Sequence, residues 1–185
     1  FADVGAITSF STLGAAYAEV CQIVAKADSG IKTVADLKGK KVSVGDSGSG
    51  VEFNAQQILG AYDITFEDID KQNLSFQASA DALKDGKIDA FFCTAGAPTV
   101  AITDLSTTTG IVLVEIDAEH LAKLQADYGF YAAYTVPAGT YNGVDADVTT
   151  VAVKATFIVS NDLDEETVYQ LTKAIYENKD AYAHE

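Results

Sequence analysis

Gly45, Gly48 and Gly50, interleaved with Ser47 and Ser49 in the stretch Lys40 to Glu52 (KKVSVGDSGSGVE), are the residues best suited to chemistry in this chain. The glycines permit positive φ and close backbone approach, so successive N–H groups can converge on one oxygen-rich group. Ser49 and Glu52 have the spacing of a capping box. The helix they open carries Val51, Ala55, Ile58, Leu59 and Tyr62 on one apolar face. Its first turn offers unpaired N–H groups and the positive end of the macrodipole, where a carboxylate or phosphate would fit. The plainer reading is a serine that caps a packed helix and binds nothing.

A second turn has the same character. Thr94-Ala95-Gly96-Ala97-Pro98 leads from an apolar strand into a helix, with proline suited to the first helical position. If both strands belong to one parallel sheet, the two turns share its carboxyl edge. Ligands bind at that edge in open α/β sheets, so a small anionic ligand is expected there.

Other reactive groups are less eloquent. Cys21 and Cys93 lie in apolar strand-like runs and read as two buried, inert thiols, with a disulfide between them as the alternative. His120, in a helical segment from Asp117 to Tyr128, and His184, at the end of the chain, read as solvated and not as metal ligands. The nucleophile-elbow pattern, the P-loop lysine and the dinucleotide glycine spacing are all missing around Ser47 and Ser49. Asp145 with Asp147, and Asp162 to Glu166, read as a turn and a helix start, with a calcium loop over Asn142 to Asp147 as the alternative for the former.

The elements that must position these residues alternate between strands and helices. Strands are expected at Val20 to Ala25, Lys41 to Gly45, Leu74 with Phe76, Ile88 to Thr94, Ile111 to Ile116, Phe130 to Val136 and Val148 to Ser160. Helices are expected after the Thr33/Asp36 box, from Gly50 to Tyr62, Ala78 to Asp85, Pro98 onward, Ala118 to Tyr128, and Leu163 to about Lys179. This is an α/β pattern with a mostly parallel sheet and no flexible linker.

Composition sets the class. The 185 residues are 48% hydrophobic with 14 glycines, enough for one sizeable core or two small ones. Twelve Lys, no Arg and a net charge of −15 leave no basic stripe, so nucleic acid is not an expected partner. No run of about eighteen apolar residues exists, which argues against a membrane span, and none has the form of a signal peptide. The chain opens at Phe1 in what reads as mid-domain sequence, and has no Met; further residues, a leader among them, are expected upstream.

Four segments together resemble the TAXI-type solute receptors of TRAP transporters: Tyr17-Ala-Glu-Val-Cys-Gln-Ile-Val-Ala-Lys-Ala-Asp-Ser-Gly-Ile, Val34-Ala-Asp-Leu-Lys-Gly-Lys-Lys-Val-Ser-Val-Gly, Asp81-Ala-Leu-Lys-Asp-Gly-Lys-Ile-Asp-Ala-Phe-Phe and Val136-Pro-Ala-Gly-Thr-Tyr. The resemblance runs from end to end. It implies a type II periplasmic-binding-protein fold, α/β, with one complete lobe and part of a second. Residues 1–28 would be a lobe-one remnant and crossover, 29–115 lobe two, 116–150 a return segment bordering the cleft, and 151–185 a crossover strand with a lobe-one helix.

The same resemblance implies a function. An extracytoplasmic receptor, periplasmic or lipid-anchored, would capture a small carboxylate or amino acid, glutamate- or glutamine-like or a dicarboxylate, and deliver it to TRAP permease subunits in the membrane. No cofactor, metal or catalysis is implied; the rival readings are an effector-sensing domain of a regulator and an enzyme acting on small carboxylates. Residue by residue, Ser47, Gly48, Ser49 and Gly50 would meet the ligand carboxylate, and Thr94, Ala95 and Gly96 would line the opposite turn. Tyr17 and Glu19 would stand at the lobe junction, Glu19 accepting a ligand ammonium, although Ala18 replaces the family's proline. Tyr131, Tyr134 and Tyr141 would border the cleft. Lys154 stands where the family often has an apolar residue, and nothing in the sequence explains it.

Overall fold

In the computed structural model, which describes residue 5 and residues 7–179, the run expected at Val20 to Ala25 is the second half of a longer strand, β1 (Phe10–Lys26). The chain continues through β2 (Lys41–Ser43), α1 (Gly50–Ala61), β3 (Asp70–Gln72), α2 (Phe76–Lys84), β4 (Ala90–Ala95), α3 (Val100–Thr108), β5 (Ile111–Leu113), α4 (Ala118–Asp127), β6 (Ala132–Val136), β7 (Val148–Ser160) and α5 (Glu165–Glu177). Short 3-10 turns at Val34–Leu37 and Phe66–Asp68 are each held by a Thr/Asp capping box. The Thr33/Asp36 box is the one predicted from spacing.

Two compact units result, residues 1–17 with 154–185, and residues 18–153; β1 and β7 each contribute to both. In the larger unit, β2 pairs in parallel with β3 and with β4, whereas β1 pairs antiparallel with both β4 and β5, and β6 antiparallel with β7. The sheet is therefore mixed, with β3-β2-β4 as a parallel group and β1 antiparallel to it. An apolar run such as Val20 to Ala25 looks the same from the sequence whichever way its neighbours point, because burial on both faces erases the alternation.

Alternation still decides which face each residue serves. Cys21, Ile23 and Ala25 of β1, Val42 of β2 and Ala90 and Phe92 of β4 pack with Ala55, Ile58 and Leu59 of α1 and Leu124 of α4. Val20 and Val24 of β1 and Phe91 and Cys93 of β4 pack with Leu83 of α2 and Ile102 and Leu105 of α3. Helices thus cover both faces, as the apolar stripes require.

Several boundaries differ from expectation for local reasons. The Leu74/Phe76 alternation imitates a strand, but Ser75 caps a helix that starts at Phe76, its hydroxyl accepting from the Ala78 N–H at 3.4 Å. The polar Asp70–Gln72 supplies the edge strand instead, as edges commonly do. Pro98 is not the first residue of α3; it precedes Thr99, whose extended backbone forms the N-cap.

In the smaller unit, Asp164 caps α5 by accepting from the Thr167 N–H at 2.9 Å. Asn161 ties the end of β7 to the approach to β1, its N–H donating to Ser9 O at 2.9 Å and its Nδ2 to Thr8 O at 2.7 Å. Tyr176 of α5 lies over Gly14, where a Cβ would meet its hydroxyl.

Gly45 is the glycine the larger unit depends on. Its φ is +86°, and a Cβ there would lie 2.7 Å from Val51 Cβ. Gly45→Ala is expected to cost about 2–4 kcal/mol, from left-handed strain plus overpacking. Gly48, at φ +76° with open space around it, should cost only about 1 kcal/mol as Gly48→Ala. Urea midpoints at unchanged m-value would show the difference; equal losses would refute the close-approach account.

Candidate functional site

The turn after β2 is built, but it is already occupied from within. Ser49 caps α1 as predicted, its Oγ accepting from the Glu52 N–H at 3.2 Å. The second half of the expected capping box differs: the Glu52 carboxylate accepts from the Gly48 N–H at 2.7 Å, one residue upstream of the Ser49 amide. The Ser49 N–H donates to Asp46 O at 3.0 Å. The anion seated on the Gly48 amide is thus a side chain of the protein, and the same carboxylate receives Lys71 Nζ at 2.6 Å and Asn73 Nδ2 at 3.1 Å. Lys71 first, then the Gly48 amide and Asn73, push the Glu52 pKa down to about 2. Asn73 also donates to Gly45 O at 2.8 Å, which closes the turn against β3. The N–H groups of Gly50 and Val51, in the first turn of α1, have no intrahelical acceptor by geometry, and Ser47 is exposed beside them.

The turn after β4 stands at the same sheet edge. β2 and β4 are adjacent parallel strands, with Val42 opposite Ala90 and Ser43 opposite Phe91, so both chains leave the sheet at its carboxyl end. The antiparallel β1 enters there: Val20 is paired with Ala95, so Glu19, one residue before Val20, lies at the same edge as the turn that Gly96 begins. By alternation Glu19 shares the α1 face with Cys21, whose Sγ accepts from Thr94 Oγ1 at 3.5 Å. Thr94, Ala95, Gly96 and Glu19 are all half-buried. Ser47, Gly48, Ser49, Gly50, Thr94, Ala95, Gly96 and Glu19 therefore share one edge of the larger unit. Tyr17, 57% exposed, belongs to the smaller unit.

The tyrosines fall elsewhere. Tyr131 is only 4% exposed and packs in the core; its hydroxyl accepts from Asn54 Nδ2 at 2.8 Å and donates to Gln57 Oε1 at 2.7 Å, bracing α1 from behind. That corrects the cleft-lining role expected for it, because the hydroxyl is spent inside the fold. Tyr134 is half-buried on the α3 face, on β6, a strand that pairs with β7 and not with β2 or β4. Tyr141 is 2% exposed; its hydroxyl donates to Gln22 Oε1 and accepts from the Thr99 N–H at 2.8 Å. Gln22 and Thr99 escaped notice in the sequence, although an amide inside the run Val20 to Ala25 is itself a signal, since a buried amide must find partners.

Remaining candidates resolve into structure. Cys21 and Cys93 are both free, and burial pushes each thiol up to about 12. They occupy opposite faces of the sheet, which excludes a bond between them. His120 is only partly solvated: its ring stacks on Tyr62 at 3.6 Å between centroids, and its Nδ1 lies 2.7 Å from Asp117 Oδ2. His184 lies outside the described residues. In place of a calcium loop, Asp147 Oδ1 accepts from the Ala138 N–H at 2.9 Å and Asn142 bonds to Ser106.

Because the folded pKa of Glu52 lies below its ordinary value of 4.5, its contribution is present above about pH 4.5 and is lost as pH falls toward 2. Glu52→Gln is expected to lower stability at pH 7 by about 1–3 kcal/mol and to flatten the acid limb of the stability curve in that window. Chemical denaturation of both proteins from pH 2 to 7 checks this; parallel acid limbs would contradict it.

Solved structures give this arrangement a frame. The periplasmic aliphatic sulphonate binding protein SsuA of Escherichia coli is similar at 18% identity and TM-score 0.50, over 95% of this chain and 70% of that one. The Gly52Ala mutant of arginine-bound ArgBP from T. maritima is similar at 13% identity and TM-score 0.54, over 92% and 60%. The alkanesulfonate-binding protein SsuA of Xanthomonas axonopodis pv. citri, bound to MOPS, is similar at 17% identity and TM-score 0.52, over 96% and 50%. The fold is that of type II periplasmic binding proteins, and the chain spans between half and about two-thirds of the length of these three. The model of the NMT1-like family matches residues 1–184, and the chain belongs to that family.

Proposed function

We propose that this chain is the ligand-holding part of an extracytoplasmic solute-binding receptor, which captures a small carboxylate or amino acid and hands it to a membrane transporter. The observation that carries this reading is the convergence of two strand-to-helix turns, at Gly45 to Gly50 and Thr94 to Thr99, on one edge where Glu19 also stands. Its solved structural relatives are named for binding sulphonates and arginine, which are small polar solutes with charged head groups.

In this reading residues 29–115 form the core of one lobe, and the 1–28 and 151–185 segments cross to the other. Ser47 and the Gly50 and Val51 amides meet the ligand's oxygens. Thr94 to Gly96 face it from the neighbouring strand, and Glu19 takes its ammonium group. With Gly48 engaged by Glu52, fewer donors serve the ligand than the turn's sequence suggests. These 185 residues contain no Arg for a bidentate clamp, so within them the turn amides and hydroxyls are the groups that would carry the recognition. Capture works by stabilising a closed form over an open one. Delivery to a TRAP-type permease, and a periplasmic location, follow from the resemblance of the four segments to TAXI-type receptors.

A thermal-shift screen against glutamate, glutamine, aspartate, 2-oxoglutarate, succinate and phosphate tests the reading. A true ligand at a hundred times its Kd should stabilise the protein by about 2.7 kcal/mol and raise Tm by several degrees. Glu19→Gln should weaken an amino-acid ligand by about tenfold and leave a plain dicarboxylate unaffected. Unchanged Tm with every compound would overturn the carboxylate assignment.

A further inference from the structure

We infer that Gln22 and Tyr141 are positioning residues: a buried hydrogen-bond circuit joins the Thr94 to Thr99 turn to the 137–147 loop, so that the two order and open as one unit. Only the ligand arm of the test below depends on the receptor reading.

The circuit closes on itself. Tyr141 Oη donates to Gln22 Oε1 and accepts from the Thr99 N–H at 2.8 Å; Gln22 Nε2 donates to Thr99 Oγ1 at 2.9 Å; Thr99 Oγ1 donates to Gly96 O at 2.7 Å. The Thr99 hydroxyl hydrogen is given to Gly96 O, so Thr99 Oγ1 can only accept from Gln22, which fixes the orientation of the Gln22 amide and the polarity of the circuit. Gln22 is 1% exposed, between Val20 and Val24 on the α3 face of β1, where an aliphatic side chain would pack more cheaply. What the amide supplies in exchange is a fixed position for the N-cap of α3 and, through Gly96 O, for the turn.

The loop is joined to α3 at a second point. Asn142 donates from its N–H to Ser106 Oγ at 3.3 Å and from Nδ2 to Ser106 O at 3.2 Å. The loop holds its own shape through Gly139 N–H to Val144 O at 2.7 Å and Ala138 N–H to Asp147 Oδ1 at 2.9 Å, and buries Tyr141 and Val144. It therefore straps α3 from its N-cap to Ser106. Gly96 O is held by Thr99 Oγ1, and Thr99 is in turn held through its N–H by Tyr141, 42 positions downstream.

Amide hydrogen exchange on the whole chain tests this. Tyr141→Phe keeps the ring and removes the hydroxyl, leaving the Thr99 N–H and Gln22 Oε1 unpaired. Exchange at residues 99–103 and 139–144 should accelerate together by about tenfold or more, while α1 stays as in the parent. Uniform acceleration, or acceleration confined to the loop, would overturn the inference. The double variant Gln22→Met with Tyr141→Phe removes both polar partners. It should regain much of the lost Tm while exchange at the turn stays fast; exchange that recovers along with Tm would reduce the circuit to a purely structural role. With L-glutamate as probe, both variants should bind about tenfold more weakly than the parent. If L-glutamate does not bind the parent, the amino-acid reading fails while the exchange result still decides the inference.

Discussion

The pairing of Val20–Ala25 with Ala90–Ala95 is the constraint on which the rest of the larger unit depends. β1 lies between the parallel strands and the antiparallel ones, and each of its residues serves a different face by strict alternation. A slip of one residue would turn Cys21 and Ile23 toward α3, and would point Gln22 at the apolar underside of α1, where none of its present partners lies. The same register brings Glu19 to the edge where β4 ends. Core packing, the buried circuit and the composition of the sheet edge are thus three consequences of one ladder.

The turn after β2 shows how a local device can be filled before any ligand arrives. Glycine-rich backbone at a helix N-terminus attracts a carboxylate, and the nearest one available is Glu52, held in place by Lys71 and Asn73. Gly45 makes this geometry feasible by letting the backbone pass within contact distance of Val51. In a chain with net charge −15 and no Arg, internal pairing of this kind lowers the count of cations free to meet an incoming anion. In the proposed receptor reading, recognition would rest on a few amides and hydroxyls, and the buried circuit behind the second turn holds some of these in place.

Much of the element order was legible because periodicity and capping are local. Val148 to Ser160 is a strand with the predicted bounds, and the Ser49 and Thr33/Asp36 caps stand where their spacing places them. Leu74 with Phe76 was misread because two alternating apolar residues cannot distinguish a strand from a helix start. The stacking of His120 was not visible because its partner, Tyr62, lies 58 positions away. The candidate site was legible as two turns and an acid, while Gln22, Asn73 and Lys71, which hold those turns, were not. Each of these acts through a partner on another element, and no short-range pattern announces such a pairing.

The sequence by itself determined the α/β class, the two glycine turns, the caps that open their helices and the acidic, arginine-free surface, because each follows from residue type and near-neighbour spacing. Tertiary structure alone decided that β1 runs antiparallel to β4, that Cys21 and Cys93 face apart, that Tyr131 is buried and that Glu52 fills the Gly48 amide. Those outcomes depend on which surfaces meet when the apolar faces are buried. Burial is non-directional, so the register and direction of strands emerge only when the whole core is assembled.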